Sequence, residues 1–163
     1  RWQTWSGSSM TSAEVTAARN QRANRGSRRR SREFALQALY QWLLNADEAD
    51  VLCRQTAEKK DYARADTGYF ELLAHGVIER AGELRAALQP FLDRAVHQLS
   101  PIEHALLLLG AYELIYAPEV PYRVAINEAV ELAKAYGGTD GHKYVNGVLD
   151  KLAAQVRQAE AKK

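Results

Sequence analysis

Cysteine is almost missing from this 163-residue chain: Cys53 stands alone, so no internal disulfide and no thiolate-based metal site can be assembled. Its expected role is that of a small buried apolar residue. Long apolar runs are missing too. Nothing approaches the roughly 20 residues needed to cross a bilayer, and the N-terminal stretch lacks the apolar segment of a secretory signal, so a cytoplasmic protein is expected. The sequence has no glycine-rich phosphate loop, no alternating strand pattern, no internal repeat and no Gly-x-Ser-x-Gly elbow. None of the four histidines stands in a metal-binding or catalytic spacing. Ser100 beside His104 has a simpler use as a helix cap, and Glu128, Glu131 and Lys134 share one helix face as surface pairs do. No enzymatic role, no metal and no cofactor are expected.

What is present is an uneven distribution of charge. Residues 1–32 hold eight arginines against one acid, Glu14, so this segment carries +7 and the rest of the chain −5, given a net charge of +2. A basic arm on a mildly acidic body suits a chain that meets a polyanion, most often nucleic acid, although a solvated tail has the same composition. Residues 1–9 precede the only methionine, Met10, and read as an appended remnant or a misplaced start. Residues 10–27 lack large apolar side chains to offset the entropy of ordering, so 1–27 is expected to be a flexible arm.

From Ser31 the pattern turns helical: Phe34, Ala35, Ala38, Leu39 and Trp42 make one apolar stripe. Arg29, Glu33, Gln37 and Tyr40 fall on another face, which puts the arginine cluster at the start of a helix. A short helix is expected over Val51–Lys60. Asp66 is a candidate cap for a helix with Tyr69, Phe70, Leu72, Leu73, Val77 and Ile78 inward. Two short helices meet at Pro90, and Asp93 can pair with His97 four residues on. Ser100-Pro101-Ile102-Glu103 combines a Ser cap, Pro at the first helical position and Glu three residues after the cap. The helix it opens is apolar nearly all round to Ala117 and should be central. Val124–Tyr136, stopped by Gly137-Gly138, and a last helix capped by Thr139 or Asp140, with Val145, Val148, Leu149, Leu152 and Val156 buried, complete the set. The fold class expected is all-α: one compact bundle of about seven helices over 28–157, with a frayed tail at 158–163.

Around the last helix, Asp140-Gly141-His142-Lys143-Tyr144-Val145-Asn146 sets a helix N-terminus beside a cation, an imidazole and an aromatic ring. These are parts for holding single-stranded RNA: Lys143 and His142 for phosphate, Asn146 for a base edge or the backbone, Tyr144 or Tyr136 for stacking, which contributes roughly 1–3 kcal/mol per base. The alternative is a core-edge tyrosine and a solvated lysine.

The stretches VPYRVAINEAVELAKAYG (Val120 to Gly137) and HKYVNGVLDKL (His142 to Leu152) closely resemble the NusB transcription antitermination proteins, as do RRRSREFALQALYQW (Arg28 to Trp42) and AYEL (Ala111 to Leu114). The resemblance covers about residues 28–156. It implies a seven-helix fold and a role in antitermination and ribosomal RNA synthesis, in which the protein binds boxA RNA together with NusE, a small-subunit ribosomal protein, and the pair modifies RNA polymerase. Carried onto matching positions, it implies an RNA face of Arg28, Arg29, Arg30, Arg32, Tyr136, Asp140, Lys143 and Tyr144, and a partner face including Tyr40 and Glu103. Three positions depart from the family: Leu108 stands where a basic residue is common, Gly141 replaces a Ser and Tyr144 a Phe. Two other readings stay open, a helical module that binds proteins or forms a homodimer without RNA, and an RNA-targeting domain cut from an RNA methyltransferase.

Overall fold

The computed structural model describes residues 9–136, 138 and 140–161. Among them are eight α-helices and no strand: α1 (Ser12–Asn45), α2 (Ala49–Ala57), α3 (Thr67–Glu79), α4 (Ala81–Leu88), α5 (Pro101–Tyr116), α6 (Tyr122–Tyr136), α7 (Gly141–Val156) and the four-residue α8 (Gln158–Ala161). The expected all-helical bundle is what is seen.

Helix α5 is the axis. Every residue from Ala105 to Leu114 is buried, and α1, α3, α4, α6 and α7 all pack on it. Its start is fixed as expected, with the Ser100 hydroxyl accepting from the Glu103 N–H at 3.2 Å and Pro101 at the first helical position. Its far end is tied down by Arg157. That buried guanidinium donates to the carbonyls of Glu113, Leu114, Ala117 and Val120 at 2.7–3.1 Å, gathering the helix end and the turn after it around one cation. Close contact between α5 and α7 depends on Gly110, where a Cβ would lie 2.6 Å from the Leu149 Cδ1.

Several boundaries differ from the sequence expectation. Helix α1 begins at Ser12, not near Ser31. The Thr11 hydroxyl accepts from the Glu14 N–H (3.1 Å) while the Glu14 carboxylate accepts from the Thr11 N–H (2.7 Å), a reciprocal cap that starts the helix early. Residues 12–27, expected as a flexible arm, are therefore an exposed helical extension, and Arg28–Arg32 lie in mid-helix. After Pro90 there is no second α-helix: Gln89–Phe91 and Val96–Gln98 are single 3-10 turns, since proline and the extended Leu92 interrupt the ladder. Asp93 pairs with Arg94 at 2.7 Å instead of with His97. Leu72 and Val156, expected inside, are exposed.

The tail expected to fray from 158 instead turns into α8. Glu160 accepts from the Tyr122 N–H at 3.0 Å and pairs with Arg157 at 2.6 Å. The proposed remnant at residues 1–9 lies outside the described residues except for Ser9, as do Gly137, Thr139 and residues 162–163.

Candidate nucleic-acid interface

The four arginines of the cluster leave α1 in different directions. Arg32, expected on the RNA face, points into the core: it is 4% exposed and holds Glu113 of α5 through two hydrogen bonds of 2.8 and 2.9 Å. The Tyr69 hydroxyl donates to the same carboxylate at 2.5 Å, and burial raises the Tyr69 pKa above its ordinary value. Arg32 thus reaches the wall of the adjoining groove with only a small part of its surface, its guanidinium being taken up by Glu113. Arg28 lies over the Tyr69 ring, 4.2 Å from its centroid, and 3.7 Å from Asp66. Arg29 forms a two-pronged pair with Glu128 of α6 (2.9 and 3.0 Å), yet its side chain stays 63% exposed. Arg30 is half-buried and forms no ion pair among the described residues.

Beside this cluster runs an open groove of about 1470 Å³, lined from α1 by Arg22, Arg25, Arg28 and Arg29, from α6 by Asn127 and from α7 by Asn146. Asn146 is thus brought to the arginines. His142 lies on the same helical stripe one turn earlier, because residues four apart on a helix share a face.

Tyr144 goes elsewhere. It is two residues, or about 200° of helical rotation, from Asn146. Its ring packs at the core edge beneath the Arg94 guanidinium, 4.5 Å from the centroid, and its hydroxyl accepts from the Asp93 N–H at 3.3 Å. The structure places it against the 93–94 loop and not in the groove with Asn146.

Asp140 precedes α7 but its side chain makes no capping hydrogen bond, because its backbone is off the extended geometry that aims a cap (ψ 3°). The carboxylate instead sits 3.5 Å from the Lys143 ammonium, both of them on the surface. Tyr136, exposed at the end of α6, donates its hydroxyl to Glu33 of α1, one turn beyond Arg29. From Tyr136 the backbone can travel at most about 14 Å to Asp140, four residues on. The Tyr136–Glu33 contact therefore ties the start of α7 to the arginine-bearing stretch of α1.

Of the expected partner face, Tyr40 is exposed and lies one turn before Leu44, which is also exposed, so the end of α1 presents an unpaired apolar patch. Glu103 turns its carboxylate toward α7: Oε1 lies 3.4 Å from where a Cβ on Gly141 would sit. Leu108 is fully buried, so no contact can be made from that position. Among the described residues no group of three or more His, Cys, Asp or Glu could hold a metal ion, and no helix is long and apolar enough to cross a membrane.

Sequence reasoning missed two features. Glu113, an acid within the most apolar helix, signals a buried partner and could have identified Arg32 as that partner. The run 15–32, free of any acid with arginines at 19, 22 and 25, could have marked the extension as a continuous basic helix.

The comparisons with known proteins agree with one another. The NusB family model matches residues 29–154. Transcription antitermination protein NusB of Methylobacillus flagellatus is 58% identical over 134 residues, covering 82% of this chain and 87% of that one. The protein of the same name from Thiobacillus denitrificans is 53% identical over 135 residues, covering 83% and 93%. Among solved structures, T. maritima NusB superposes with a TM-score of 0.73 at 28% identity, covering 83% of this chain and 97% of that one. A crystal structure of antitermination factors NusB and NusE in complex with double-stranded RNA superposes with a TM-score of 0.70 at 25% identity, covering 79% and 97%. With the family model spanning most of the chain and relatives more than half identical across it, this protein belongs to the NusB family.

Proposed function

We propose that the protein is a transcription antitermination factor that works by binding and not by catalysis, holding boxA-type single-stranded RNA together with NusE to promote read-through by RNA polymerase, notably in ribosomal RNA synthesis. The observation that carries this reading is the shared groove: Arg28 and Arg29 of α1 and Asn146 of α7 line one open surface. Guanidinium groups attract phosphates without regard to sequence, and amides can read unpaired base edges. Tyr136, exposed beside the groove's α1 wall, supplies a ring for stacking. His142 and Lys143 extend the polar surface toward the start of α7, while Tyr144 contributes only if Arg94 gives way or the opposite ring face is used. Arg32 is a positioning residue in this reading. The exposed Tyr40 and Leu44 pair suits a protein partner, NusE, at the end of α1 farthest from the basic extension. A second copy of the chain is the other occupant for that patch.

The test is a binding titration of a boxA oligonucleotide, alone and with purified NusE, at two salt concentrations. Affinity should fall steeply with salt, by about 0.7 in log–log slope per phosphate contact on a single strand. NusE should tighten the complex, and a duplex of the same sequence should compete poorly. Binding that ignores salt would rule the reading out.

A further inference from the structure

Helix α1 runs well past the part of the chain that packs against the bundle. Its first turns, Ser12 to Gly26, are almost wholly exposed, and their side chains are of only two useful kinds. Arg19, Arg22 and Arg25 recur every three residues, so they lie along one side of the helix and climb it by about 4.5 Å per step. Gln21 and Asn24 stand among them. Between Val15 and Phe34 there is no apolar residue larger than alanine, and from Val15 to Arg32 there is no acid.

That combination narrows the occupant. A helix that docks on a protein needs apolar anchors at three- and four-residue intervals, and this one has none. A cationic helix studded with amides is suited to a phosphate backbone, where guanidinium groups meet the charge and amides can meet sugar hydroxyls or bases. The groove continues the track: Arg22 and Arg25 line it together with Arg123 and Asn127 of α6 and Asn146 of α7, while of its four acids Asp66 and Glu128 are paired with Arg28 and Arg29, leaving Glu119 and Asp150. Its volume, about 1470 Å³, exceeds the roughly 300–1,000 Å³ of a small-molecule pocket and leaves room for a polymer. The inner arginines are largely occupied, Arg28 near Asp66, Arg29 with Glu128 and Arg32 with Glu113, whereas Arg22 and Arg25 form no ion pair among the described residues.

We propose that the helical extension, through Arg19, Arg22 and Arg25, forms a second RNA subsite that binds the phosphate backbone of single-stranded nucleotides flanking the boxA element. This rests on the proposed function, since the extension continues the groove assigned there. Nucleotides outside the core element would then add affinity without sequence preference.

The experiment compares a core boxA oligonucleotide with versions carrying about ten unpaired nucleotides of neutral sequence on the 5′ side or on the 3′ side, across a salt series. The proteins are the full chain, the triple variant R19A/R22A/R25A and the triple variant R19K/R22K/R25K. Alanine keeps the helix, which circular dichroism checks, and lysine keeps the charge. One extended RNA should bind the full chain about 10–100-fold more tightly than the core near 0.1 M salt, with a slope steeper by up to about 2, as three phosphate contacts require. The alanine variant should lose that gain, so that core and extended RNAs bind it alike whatever its affinity for the core, and the lysine variant should keep most of it. Equal affinity of core and both extended RNAs for the full chain overturns the subsite and leaves the proposed function standing. An alanine variant that retains the gain also overturns it. Failure of the core RNA to bind at all overturns the proposed function and the subsite with it.

Discussion

Arg29 and Arg32 sit three residues apart on α1, and each grips a carboxylate on another helix through two hydrogen bonds. The surroundings separate them. Arg32 and Glu113 are 5% and 2% exposed at their side chains, sealed between α1 and α5 with Tyr69 as a third member. Arg29 and Glu128 are 63% and 11% exposed, at the edge of the groove. Burial makes either charge costly alone, so the inner pair must stay together. In the outer pair only Arg29 is open to solvent, Glu128 being buried, so Arg29 can meet a phosphate while it keeps its carboxylate. One residue type thus fixes the scaffold at one position and stays open to a ligand at the next turn.

The sharpest way to break that contrast is to remove the inner arginine. Arg32→Ala strands Glu113 in the core and should cost about 3–5 kcal/mol, with a fall in Tm on the order of 6–20 °C. Thermal melting checks it, and RNA affinity of the folded variant at low temperature should change little. A stable Arg32→Ala protein with lost RNA binding would reverse the assignment.

A pH dependence sharpens the same distinction from the other side, because the interior also keeps a histidine neutral. Burial at the start of α5, with the Arg85 guanidinium 3.2 Å away, lowers the His104 pKa from 6.5 to about 4. The unfolded chain therefore takes up a proton first. The stability this group contributes is complete above pH 6.5 and is lost as pH falls from 6.5 toward 4. His104→Gln should flatten that part of a denaturation profile measured against pH, and an unchanged profile would place the titration elsewhere.

The smallest effect belongs to the surface pair at α7. Asp140 lies 3.5 Å from Lys143, fully in solvent, and makes no cap. Asp140→Asn removes a charge that repels phosphate and frees Lys143, so boxA affinity should rise by roughly a few fold at low salt, the effect of one screened charge. Equal or weaker binding in the same titration would place Asp140 off the RNA path.

Much of this was legible in the sequence wherever a local rule acted alone. The Ser100-Pro101 start, the Asp66 cap, which accepts from the Tyr69 N–H at 3.1 Å, and the apolar girth of α5 follow from capping chemistry and periodicity. The AINEAVELAK and VNGVLDK strings carried the family. What could not be read was direction around a helix combined with distance in space. Arg32, three residues before Ala35 and four before Leu36, falls on the buried face of α1, but the carboxylate it meets there depends on where α5 brings Glu113. Tyr144 and Asn146 face opposite sides by helical rotation alone, but which of the two meets the groove depends on how α7 packs. The extension of α1 escaped because its helix is started by one local cap at Thr11 and Glu14, with no apolar stripe to announce it.

The claim beneath all of this is that α1 and α7 present one continuous surface to RNA. Backbone amide NMR shifts of the full chain, followed while boxA RNA is added, test it directly. The account predicts that residues 28–30 of α1 and 142–146 of α7 move together along a single binding curve while α4 stays still. Perturbation of only one of the two segments, or of α4 instead, would contradict it.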